Sequence, residues 1–542
     1  MMPTLLVRLV RYFGWTAFLA SCGVVAGAIV VQAAGGPEIG QRLWPTPRLW
    51  RYFLTTLWMS TAAVALALAL AMPAAYALVR SPRGWQRRAL HTLTVIPLLT
   101  MPSVYAYAWL IAATNRGVLL RPLLDWVGLN AAGAGPLCAA WVLAVWLWPI
   151  PALVLAAAFR YGGASAYRLA CLDASPLRAF LLGALPMMRG PLVAACAIVF
   201  VLAAIDSTVP PLVGASDVWS VEMLACAGVA RKYARPAAYL FWQSWPMLAV
   251  TVVMAVSALP GLRQMSQWGG DGDVVHGAGR PASSSGVWVV AVVVACVLAL
   301  GPILVFAVSM AGGRYTVVES FAEAFRTIRA AGVPSLIVAV CAALAGVAVA
   351  VALLDERSWP RWLRLASVAA TAIVLLVAVL PPPLIGTTLA AFFSSGFLGD
   401  AKSWNLYDKT PVTWIAAMLA RFAFVPVCLA RLLNRRIPSE LTDQALSDGA
   451  NRIERLTCAR LPLMWRPLVA AGVAVAGLSL SEVAAAGLVQ PPQWIGGSLA
   501  IYVDSQMHYG RQNQTIALSL IMMSAAILAG LLLPLIVPRR RC

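Results

Sequence analysis

Charge is what this sequence has least of. Only 11% of its 542 residues are Asp, Glu, Lys or Arg, against roughly a quarter in an ordinary soluble protein. So little charge cannot clothe a water-facing surface, so much of the exterior must face lipid. Lysine is confined to Lys232, Lys402 and Lys409, and histidine to His91, His276 and His508. The histidines are isolated, and no Ser/His/Asp or Cys/His constellation for nucleophilic catalysis can be assembled. The ten cysteines include no C-x-x-C pair. Cys22, Cys196, Cys296, Cys341 and Cys428 lie inside apolar runs as small hydrophobes, so neither a metal site nor a disulfide framework follows. An enzyme reading has no positive support.

What fills the chain instead is apolar sequence, 61% of all residues. A membrane-crossing helix needs roughly 20 such residues in a row. Runs of this kind fall near 13–34, 52–79, 92–112, 136–158, 191–212, 238–260, 287–311, 333–354, 365–391, 412–432, 467–489 and 514–537. Backbone hydrogen bonding in lipid makes them helices. The expected fold class is therefore an all-α polytopic membrane protein with about twelve spans. The first run follows Arg8 and Arg11 and superficially resembles a signal peptide, with Val31-Gln32-Ala33 as a nominal cleavage site. Its length favours a retained first helix.

The net charge of +20 is almost all arginine placed between the runs. That placement is a topology signal rather than a nucleic-acid footprint. With the N-terminus inside, 25 basic residues fall in inside segments and 14 in the opposite loops, with Arg421 left within a span. Both termini are expected in the cytoplasm. Arg421 is expected to snorkel to the surface.

Residues 264–286 are rich in Gly and Ser and read as a flexible cytoplasmic linker between residues 1–263 and 287–542. The two parts match each other. Leu185-Pro-Met-Met-Arg-Gly-Pro-Leu-Val-Ala-Ala195 aligns with Leu461-Pro-Leu-Met-Trp-Arg-Pro-Leu-Val-Ala-Ala471 at an offset of 276, identical at eight of eleven positions. The same offset pairs Asp206 with Glu482, Ser175 with Asn451, Tyr233 with Tyr509 and Arg235 with Arg511. Six helices per part give both the same orientation, a parallel repeat about the membrane normal.

The longest inside loop of each part, 167–186 and 443–462, reads as helix, break, helix. In the second, Gly449 supplies a turn and Asn451 an N-cap, with Glu454 as its capping partner. In the first, Ser175 takes the cap position and Pro176 the first helical turn. Pro186 and Pro462 are expected to break the helix before the next span. Asp443, Gln444, Ala445, Gly449, Asn451, Leu461 and Pro462 together resemble the EAA loop of ABC-importer permeases. The first copy is degenerate, with Tyr167 and Asp173 at the Glu and Gly positions, while Ala174, Ser175, Leu185 and Pro186 fit.

That resemblance implies a fused inner-membrane permease. It implies as partners two cytoplasmic ATPase subunits, which bind the ATP, and a periplasmic solute-binding protein. It implies no cofactor on this chain. The stretch from Ser481-Glu482 through Gln490-Pro-Pro-Gln-Trp494 to Met507-His-Tyr-Gly510 resembles fused permeases for ferric iron and, more distantly, thiamine. The rival reading is a twelve-helix secondary transporter, which would need more ionisable residues in its spans.

Other features carry open alternatives. Asp206 and Glu482 either face each other across a central path, where they meet a cation or a polar solute, or sit at the periplasmic interface or cap a short re-entrant turn. Tyr233, Tyr509, Arg235 and Arg511 either meet a binding protein or anchor at the interface. Pro97, Pro102 and Pro381 to Pro383 either break path-lining helices or kink them for packing. Gly396 to Ser403 approaches a phosphate-binding loop but lacks the Gly before Lys402.

Overall fold

The structure is a computed structural model. It describes residues 2–34, 47–80, 84–113, 135–175, 178–230, 236–267, 285–311, 316–354, 360–394, 406–437, 439–491, 497–508 and 512–536. Every element among them is helical. Tyr233, Arg235, Tyr509, Arg511, Pro176 and the stretch Gly396 to Ser403 lie outside the described residues. Of the expected linker, residues 264–267 belong to the helix Pro236–Gln267 and 285–286 to the helix Ser285–Ala311, and 268–284 are outside the description.

Among the described residues eight helices are long and apolar enough to cross a membrane, and four bent pairs, each taken as one span, bring the candidates to twelve. Three of the four bends fall at a visible local irregularity. Trp85–Leu99 and Pro102–Ala113 meet at 94°, where Pro97 and Pro102 remove backbone donors. Gly135–Leu147 and Pro149–Ala158 meet at 45° just before Pro149. Ala179–Met187 and Arg189–Ile205 meet at 72°, where Met188 leaves helical geometry with φ −95° and ψ 1°. The helix Arg361–Ala378 likewise stops short of Pro381 to Pro383, and a new helix starts at Pro382.

Pro462 does not break the helix ahead of the next span, contrary to expectation. The helix Arg455–Leu480 crosses as one continuous span. Its opening turn, Arg455–Arg460, is π-helical, and Leu461-Pro462 start the α-helical part. The wider turn absorbs the donor that proline lacks. Ala179–Ala184 forms the same turn before Leu185-Pro186, and there the break follows at Met188.

Two large apolar cores organise the bundle, and they interlock. One is built from Met59 through Val218 together with Ala291 to Met310 and Leu499 to Met523. The other joins Val7 to Ile29 with Ala227, Leu240, Leu248 and Val338 to Val489. The N-terminal helix therefore packs on Val333–Ala352, and Ser285–Ala311 packs on Pro47–Arg80. Alanine dominates these contacts, as expected where helices associate in lipid through close backbone approach. At Gly14 the backbones come so close that an added Cβ would fall on the Ala348 carbonyl.

Candidate functional site

Between the two cores lies a cavity of about 380 Å³. Its walls come from corresponding stretches of both parts. Leu98, Leu99 and Pro102 stand at one broken helix, and Ala378 and Pro382 at the other. Trp146, Ile150, Ile198 and Leu202 line the cavity together with Phe422, Val425, Ala474 and Leu478. Most of this surface is hydrocarbon. The polar exceptions are Asp206, Ser207, Thr208, Arg421, Ser481 and Glu482.

Asp206 ends the helix Arg189–Ile205, with its backbone extended at ψ 124°. Its Oδ1 accepts the backbone N–H of Thr208 at 3.0 Å and of Val209 at 2.8 Å, capping the short helix Val209–Leu212. Glu482 does the same at the end of its span, accepting the N–H of Ala485 at 3.1 Å. Each carboxylate thus caps a turn and also lines the cavity.

The two acids differ in their partners. Arg421 is buried and does not snorkel. Its Nε lies 3.5 Å from Glu482 Oε2, and both side chains are about 10% exposed or less. Its Nη1 donates to the carbonyls of Ala378 and Leu380 at 3.3 and 3.4 Å. Those carbonyls are orphaned by the helix break before Pro382, so the guanidinium closes a helix end and neutralises an acid together. Sequence reasoning placed Arg421 in a span but missed this role, since its partners lie 41 to 61 residues away. At the 276 offset the first part carries Val145. Among the described residues no cationic side chain pairs with Asp206, whose charged neighbour is Glu482.

The loops lie at the far ends of the same rods. In the second, the helix Ser439–Ser447 ends at Gly449, whose φ is +79°. The N–H of Ala450 donates to the Ala445 carbonyl at 2.9 Å and that of Gly449 to Leu446 at 3.0 Å. This is a Schellman turn. Asn451 Oδ1 then accepts from the N–H groups of Ile453 and Glu454, both at 3.0 Å, while Glu454 accepts the Asn451 N–H at 2.8 Å. The capping box forms as the sequence implies. Asp443, Gln444, Gly449, Asn451 and Pro462 are exposed, and Ala445 and Leu461 half-buried.

The first loop turns differently. Asp173 and Ala174 both donate to the Ala170 carbonyl, at 3.3 and 3.0 Å, and no described residue there has positive φ. Asp173, Ser175 and Pro186 are exposed, and Ala174 and Leu185 half-buried.

Residues 342–541 match the family model of the binding-protein-dependent transport system inner membrane component. The second half of the chain carries an ABC-importer permease domain. Such a domain is a transport component and not an enzyme. The match spans the loop 443–462, Arg421 and Glu482, so both the exposed turn and the buried ion pair belong to the permease domain. No curated protein and no solved structure matches the chain.

Proposed function

We propose that the whole chain is a fused permease of an ATP-driven, binding-protein-dependent importer, and that its solute crosses through the central cavity by alternating access. The observation that carries this is the family match over 342–541, with the exposed Schellman-and-capping-box loop inside it. The two-repeat reading rests on paired geometry. Asp206 with Val209 and Glu482 with Ala485 repeat one carboxylate cap at an offset of 276. The N–H of Trp219 donates to Thr56 Oγ1 and that of Leu499 to Ser335 Oγ, each at 2.8 Å. In this reading the loops 167–186 and 443–462 dock on two cytoplasmic ATPase subunits, and a periplasmic binding protein delivers the solute. Both termini face the cytoplasm. The resemblance alone puts ferric iron first and leaves thiamine or another small solute open.

The rod Arg455–Leu480 joins the second loop to Glu482 without a bend. Motion imposed on the loop therefore reaches the cavity directly. Pro462→Leu and Gly449→Asp, assayed in membranes that retain the folded chain, are expected to abolish ATP-driven uptake. Full uptake by both variants would refute the coupling role of this loop.

A further inference from the structure

We infer that the central cavity is a binding site for a compact organic monocation, with Asp206 as its counter-ion. This rests on the reading of the cavity as the transport path. Three charged side chains line it, and two of them cancel, since Arg421 is committed to Glu482 and to two orphaned carbonyls. What remains is one carboxylate, Asp206, facing a largely hydrocarbon space. A lone carboxylate in such surroundings is costly unless a positive group meets it. No side chain does so among the described residues.

One further side chain suits such a ligand. Trp146 lines the cavity with Asp206, and an indole ring face attracts cations. A volume of about 380 Å³ suits a small organic molecule. A bare ferric ion fits poorly: it wants several anionic ligands, and no group of three or more His, Cys, Asp or Glu comes together among the described residues.

The test is isothermal titration calorimetry on the full chain in lipid nanodiscs. The probes are benzylammonium, its neutral isostere benzyl alcohol, and ferric citrate. Asp206→Asn is the decisive variant, because an amide oxygen still accepts the Thr208 and Val209 N–H groups and keeps the local fold. The expected result is that benzylammonium binds at least tenfold more tightly than benzyl alcohol, and that Asp206→Asn removes this difference. Arg421→Gln combined with Glu482→Gln preserves the net charge and should retain cation binding. Equal binding of the two benzyl probes, no binding by the wild-type chain, or a Ferric-citrate affinity above that of benzylammonium would overturn the assignment. ATPase association is measured on the same preparations. Association without cation binding removes the cavity assignment and leaves the permease reading; cation binding without association does the reverse.

Discussion

Arg421 is the residue whose role the linear sequence hides best. Its neighbours in the chain are apolar, so snorkelling was the economical expectation, yet the break before Pro382 leaves carbonyls that need a donor. Removing one member of a buried pair leaves the other charge unpaired, at a cost of about 3–5 kcal/mol. Arg421→Met is therefore expected to lower the thermal stability of the chain strongly, and Arg421→Met with Glu482→Gln to recover most of it. Equal melting temperatures for all three proteins would show that the pair carries little stability. Gly449 is the opposite case, fully legible from its place in the loop. A Cβ there meets nothing within 4 Å, so the cost of Gly449→Ala is that of the left-handed backbone alone, about 1–2 kcal/mol. Faster hydrogen exchange over 443–451 is the expected readout, with Gly449→Asn milder because asparagine tolerates this conformation.

Helices were legible because lipid leaves the backbone one solution, and proline marked where several of them bend. Which helix packs on which was not legible, since alanine-rich apolar faces carry no address. The N-terminal helix shows this. It joins the core built mainly from residues 338–489, and it also touches the segment Arg452–Arg460 that leads out of the second loop. Gly14→Leu would push it off Val333–Ala352, because the clash falls on backbone that cannot yield. Increased proteolysis of the first 34 residues in the membrane-embedded chain is the expected outcome, and unchanged resistance would contradict the packing. The two loops should also differ in weight. Among the described residues only the second has the glycine-capped turn and the box at Asn451, so Gly449→Ala should reduce uptake more than Asp173→Ala.

For the molecule as a whole, two apolar cores, each drawing on both halves of the chain, meet around a shared cavity lined by Asp206 and Glu482. The central claim is that ATP hydrolysis by partner subunits, not an ion gradient, drives solute through this chain. It is tested most directly by purifying the chain with its cognate ATPase, measuring the subunit ratio, and assaying uptake into proteoliposomes with the binding protein present. The account predicts two ATPase subunits per chain and uptake that requires ATP and persists when ionophores collapse ion gradients. Uptake driven by an ion gradient in vesicles that contain no ATPase would contradict it.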